Sequence, residues 1–178
     1  MKYIYNLSFL GILAVMCSAC KTQVITPAIV PPVEIEAPQP TSHSLGIIGA
    51  VEPVYVLPMK MPFAGRIDTG AETSSIDASD IKTFERDGEK WVSFTIVNRE
   101  TGEKHRFEKE LARQTTITRI NQHAKRLVVN LDVKLGNEII TAEFSLADRS
   151  KFEYQALIGR NILTGRAIVD TSLENTLH

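Results

Sequence analysis

The stretch RIDTGAETSSI, residues 66–76, sets a carboxylic acid, Asp68, in a glycine-bearing turn between two β-like runs. Gly70 has no Cβ, so it permits either a positive φ or a close backbone approach. Thr69 offers a hydroxyl that can tie the turn to a neighbour, and the N–H groups of such a turn can hydrogen-bond an ionised carboxylate. A side chain displayed from a rigid turn between strands is how a positioned acid or base is built.

Moving outward, the flanking sequence is rich in strand signals. Trp91 to Asn98 (WVSFTIVN) is β-branched and aromatic, and RETGE after it supplies a turn. Arg126 to Leu135 (RLVVNLDVKL) alternates for much of its length. Gly136-Asn137 then marks a two-residue hairpin, and Glu138 to Leu146 (EIITAEFSL) returns. Tyr154 to Gly159 and Arg166 to Ser172 are further short apolar runs; the RNILTG between them is about one helical turn, stopped by Gly165. No internal repeat and no long amphipathic helix interrupts this pattern. It predicts a small all-β domain folded as a partly closed barrel, with one short C-terminal helix.

GRIDTGAETSSIDA, followed about ninety residues later by LIGRNIL, resembles the retropepsin-like aspartic peptidases. In that fold a DTG loop follows a strand, and a hydrophobic-hydrophobic-Gly segment leads into a short helix near the C-terminus. The chain is more closely similar to the bacterial family labelled "ATP-dependent zinc protease" (RimK-associated type). Its IDTGAxTSS core and its aspartate-arginine-serine … LIGR block appear here as Ile67–Ser75 and Ser145–Leu163, followed by VDTS at Val169–Ser172. The resemblance implies a catalytic Asp68, a Thr69 that links two loops across a dimer, Gly70 and Ala71 completing the loop, and an Arg160 that supports the site without entering the chemistry.

Aspartic peptidases hydrolyse amides with two carboxylates around one water, one ionised and one protonated, because two such groups at close range cannot both ionise readily. Leu45 to His178 is too short for two copies of the fold, so the resemblance implies a homodimer with Asp68 from each subunit about a twofold axis. Asp170, in IVDTS, is a near-copy of the motif with Ser172 in place of glycine. A residue with a Cβ resists a positive φ, so a structural or interface Asp170 is favoured over a second catalytic aspartate. A β-hairpin flap is expected about thirty residues after the aspartate. Phe94 to Phe107 is in that place, with its tip at Thr101-Gly102, and reads equally well as a flap or a plain surface hairpin.

The N-terminus adds an address. Lys2 and the apolar run Leu7 to Met16, too short to span a bilayer, lead into CSAC, which resembles a lipobox with Cys20 as the lipid-bearing residue. Residues 1–19 are then a lipoprotein signal peptide. Residues 20–44, with Pro27, Pro31, Pro32, Pro38 and Pro40, are a lipidated tether that reads as extended and semi-rigid. Residues 45–178 form the domain. Lys21 points to the outer membrane, with the domain facing the periplasm. Removal of Cys17 and lipidation of Cys20 leave no free thiol, which excludes a cysteine nucleophile and a cysteine zinc site.

The net charge of −1 argues against a nucleic-acid partner. There is no His-Glu-x-x-His and no phosphate-cradling Gly-x-x-x-x-Gly-Lys, and His105 and His123 read as solvated surface positions. The reading therefore calls for no metal and no cofactor. Its partners are a peptide or protein substrate, the membrane through the lipid anchor, and a second copy of the chain. A rival reading is a non-catalytic, lipid-tethered binding or assembly module on the same fold. The stretch from Arg113 to Arg126, with Arg119 and Lys125, holds no acid and could contact an anion, although a solvated strand face explains it more simply.

Overall fold

The structure is a computed structural model that describes residues 42–119 and 122–177. The signal run, Cys20 and nearly all of the tether lie outside the described residues. In chain order the elements are β1 (Gly46–Ile48), β2 (Val51–Val56), β3 (Phe63–Ile67), β4 (Ser74–Asp77), β5 (Ser79–Arg86), β6 (Glu89–Val97), β7 (Lys104–Arg119), β8 (Gln122–Leu135), β9 (Glu138–Ala147), β10 (Ala156–Ile158), α1 (Arg160–Leu163) and β11 (Ala167–Val169). The β-branched runs read from the sequence lie in β6, β8 and β9. Gly136 takes a φ of 53° between β8 and β9, and Gly165 takes 75° after α1. Both are left-handed positions that glycine occupies without steric cost.

Strands β2, β3, β10, β4, β9 and β8 follow one another, and β8 pairs back onto β2 through Val54↔Leu135 and Val56↔Val133. The ring therefore closes completely, as a barrel of six strands. Closure leaves these strands without open edges and fills the interior from alternate residues. In β3, Phe63 and Ile67 point inward and Ala64 and Arg66 outward; Val54, Val56, Ile76, Leu131, Val133, Phe144 and Ile158 complete the core. The long strands leave the ring. The first half of β7 pairs with β6, and its second half, past an irregularity between Leu111 and Arg113, forms a hairpin with the first half of β8.

Two arrangements position the site. Strand β10 lies between β3, to which it is parallel, and β4, to which it is antiparallel, so the chain from β3 to β4 must cross over the end of β10. Separately, β1 and β11 form a two-stranded parallel sheet. The C-terminal segment that follows returns along β2, where the Ala50 N–H donates to Leu173 O at 2.7 Å and the Asn175 N–H to Val51 O at 2.8 Å. A fully buried carboxylate, Glu52, fastens it. Glu52 accepts hydrogen bonds from Thr176 Oγ1 at 2.6 Å, the Leu177 N–H at 2.9 Å and the Gly49 N–H. Burial alone would raise the Glu52 pKa, but the hydrogen bonds from Thr176, Leu177 and Gly49 together outweigh it and hold it below the ordinary value.

Candidate active site

Asp68 is the first residue after β3, and its N–H donates to Ile158 O at 2.9 Å, at the end of β10. Its Oδ1 accepts from the Gly70 N–H at 2.9 Å and the Ala71 N–H at 3.2 Å. Among the described residues no hydrogen bond engages Oδ2, so one carboxylate oxygen is fixed by the turn and the other is not. Gly70 serves by close approach and not by its φ, which is not positive: a Cβ there would stand 3.2 Å from Asp68 Oδ1.

The loop from Asp68 to Thr73 is held from below by the residues after β10. The Arg160 N–H donates to Ala71 O at 2.8 Å, and Arg160 Nη1 donates to Thr69 O at 3.1 Å and Gly70 O at 2.8 Å. These contacts turn the loop's N–H groups toward Asp68 by occupying its carbonyls. The Thr69 hydroxyl makes no hydrogen bond among the described residues. Gly159 is required at the crossing, since a Cβ would lie 2.9 Å from Ala71 O and 3.0 Å from the Thr73 carbonyl carbon.

Asn161 and Ser74 form a hub that sequence reading missed. Asn161 Oδ1 accepts from the Ser74 N–H at 2.9 Å and Ser74 Oγ at 2.8 Å, Ser74 Oγ accepts from the Gly159 N–H at 3.0 Å, and Asn161 Nδ2 donates to Glu143 O at 2.8 Å. One amide thus joins α1, β4 and β9. The available signal was a polar residue directly after the LIGR run, where the helical turn must face the loop.

The segment read as either a flap or a plain surface hairpin lies away from Asp68. Thr101 and Gly102 lie in the turn between β6 and β7, whose Glu103 carboxylate accepts from the Lys60 and Met61 N–H groups and whose Asn98 Nδ2 donates to Pro62 O. Those partners precede β3, whereas Asp68 follows it. The five-residue strand separates the two ends by roughly 16 Å at about 3.3 Å per residue. The hairpin that does stand beside the Asp68 loop is β7–β8, where Arg113 Nη2 donates to Thr73 Oγ1 at 3.1 Å.

Between that hairpin and the loop lies a cavity of about 330 Å³, lined by Ala71, Thr73, Ser75, Ser145 and Leu157 and by three guanidinium groups, Arg113, Arg126 and Arg149. The basic run in the hairpin is therefore not only a solvated face. Arg149 is 9% exposed; its Nε donates to Tyr154 O and its Nη1 to Ser75 Oγ, both at 3.0 Å. Burial first, and the charge of Arg126 second, lower its pKa. A cation held in this way gains from an anion placed beside it. Asp170 lies elsewhere in use: its Oδ1 accepts from the Ser172 N–H at 2.9 Å and Ser172 Oγ at 2.6 Å. Asp68 accepts from the N–H two residues on in the same way, so the Ser172 hydroxyl, and not a missing positive φ, sets the two turns apart.

Residues 47–177 match the profile of the family described as RimB-like, "Retropepsin-like aspartic endopeptidase RimB". Among curated proteins the chain is 33% identical over 117 residues to a "Probable alpha-L-glutamate ligase" of Desulfotalea psychrophila and 34% identical over 110 residues to one of Shewanella pealeana. The matched stretches cover 63% and 60% of this chain but 25% and 24% of those proteins, so the chain spans about a quarter of the length of these relatives. Among solved structures it is similar to the crystal structure of Lpg0085 of Legionella pneumophila, a protein of unknown function (DUF785). The TM-score is 0.66 at 31% identity, covering 75% of this chain and 98% of that one.

Proposed function

Because the chain belongs to the RimB-like family of retropepsin-like aspartic endopeptidases, we propose that it hydrolyses a peptide or isopeptide amide with an Asp68/Asp68′ dyad formed in a homodimer. The observation that carries this reading is the Asp68 turn, in which two N–H groups fix Oδ1 while no hydrogen bond among the described residues engages Oδ2. In the dimer one carboxylate takes a proton from water as its oxygen bonds to the carbonyl carbon, while the protonated partner donates to the carbonyl oxygen. Collapse breaks the C–N bond as the amine nitrogen is protonated. The lipobox-like CSAC run and the Pro-rich tether support a lipid-anchored protein at the outer membrane, facing the periplasm.

The substrate class we propose is an acidic, glutamate-rich peptide. Arg113, Arg126 and Arg149 supply the cations beside the loop, and guanidinium is the side chain best suited to grip carboxylates. The matched relatives whose names denote glutamate ligases fit the same class. A glutamate-binding module without turnover is the alternative, favoured by the same three arginines, which would hold carboxylates with or without chemistry. Incubating the full chain with penta-glutamate and penta-glutamine peptides tests both readings. Cleavage of the first that is lost in Asp68→Asn supports the peptidase; binding without cleavage, insensitive to Asp68→Asn, supports the module.

A further inference from the structure

Glu143 has no part in the reading above, yet it pairs with Arg113, one of the arginines that line the cavity. It stands on β9 two residues before Ser145, and alternate residues of a strand share a face, so it flanks the wall that Ser145 helps to form. Its Oε2 accepts from Arg113 Nε at 2.8 Å and lies 2.8 Å from Arg113 Nη2, which also reaches Thr73. No hydrogen bond engages Oε1 among the described residues. We infer that Glu143 is an internal stand-in for a substrate carboxylate: it occupies Arg113 in the free protein and yields it when an acidic peptide enters. This inference rests on the acidic-substrate reading.

Two physical features suit Glu143 to that role. The pair is weak enough to exchange, because both side chains are more than a third exposed, 41% and 37%, where water competes for each partner. Glu143 is also always at hand, because its carbonyl is pinned by Asn161 Nδ2 at 2.8 Å and its carboxylate is confined near Arg113. The internal carboxylate holds Arg113 in place, and Arg113 in turn ties the β7–β8 hairpin to the Asp68 loop through Thr73. It also makes selectivity a matter of exchange: a ligand without a carboxylate has nothing to offer Arg113 in return for Glu143.

The test measures fluorescence anisotropy of labelled penta-glutamate on the full chain in detergent, in an Asp68→Asn background that prevents turnover. The expected result is that Glu143→Gln binds penta-glutamate about two- to fivefold tighter, the range a half-exposed ion pair spans. Penta-glutamine should be unaffected. Arg113→Gln should weaken penta-glutamate binding, and the double variant should match Arg113→Gln alone. Glu143→Asp, which keeps the charge and shortens the reach, should shift binding in the same direction as Glu143→Gln and covers the case in which the latter fails to fold. Unchanged or weaker binding by Glu143→Gln, with Arg113→Gln still weakening it, overturns this inference and leaves the acidic-substrate reading intact. Failure of the unmodified cavity to bind penta-glutamate overturns both.

Discussion

Replacing Glu52 with Gln should destabilise the domain far more than a one-atom change suggests. The carboxylate is fully buried and its two oxygens accept from Gly49, Thr176 and Leu177, all donors. A glutamine must point its NH2 at one of those oxygens' positions, where it faces another N–H and leaves a buried donor unsatisfied, at a cost of about 1–3 kcal/mol. The remaining hydrogen bonds lose their charge assistance, so a total of about 2–4 kcal/mol is reasonable. For a domain of this size that corresponds to a fall in melting temperature of roughly 6–15 °C.

Circular dichroism melts at neutral pH would measure the loss. Hydrogen exchange would show whether the Asn175 and Leu177 amides, which this clamp holds in place, open first. The pH dependence gives an independent check. The folded Glu52 pKa is held below its unfolded value, so its contribution is present in full above the unfolded value and is lost as pH falls through the folded one. The gap between parent and variant should therefore narrow in acid. A Glu52→Gln melt within about 2 °C of the parent, or a gap that stays constant from neutral pH to acid, would refute the reasoning.

Other changes act on the Asp68 loop. Gly159→Ala forces a Cβ toward Ala71 O at 2.9 Å and should cost about 1–3 kcal/mol, read as a lowered denaturation midpoint with an unchanged slope. Asn161→Ala removes the acceptor for Ser74 and the donor to Glu143 O. It should lower kcat more than it raises KM on penta-glutamate, while Asn161→Gln fails to restore it, because the amide must sit between β4 and β9 at fixed reach. Asp68→Asn keeps an oxygen acceptor for the Gly70 and Ala71 N–H groups, so turnover should vanish while the melting temperature shifts by less than about 3 °C.

The closure of the barrel shows how far the sequence reached. Alternation in β8, the β-branched β6, the Gly136-Asn137 hairpin and the helical turn stopped by Gly165 are local signals, and each appears where the pattern placed it. The long charged strand β7 and strand β5 carried no such pattern, because both stand outside the ring and every residue of β5 but Phe84 is exposed. Asp68, Gly70 and Arg160 were legible because a DTG turn and a Gly-Arg pair are short motifs whose chemistry is carried by residues next to one another.

What the sequence by itself determined, then, was the strands with a clear local pattern and the place of the aspartate in its turn, since both depend on neighbours within a few positions. The tertiary structure alone decided which partners those residues meet. It brought β10 between β3 and β4, and so put Gly159 and Asn161 under the loop. It set the Thr101-Gly102 turn at the far end of β3 and the β7–β8 hairpin beside the aspartate, and it buried Glu52 against a C-terminal segment more than 120 residues away. Contacts of that range follow from strand order and register, and a carboxylate's sequence neighbours say nothing of which distant N–H groups will surround it once the barrel closes.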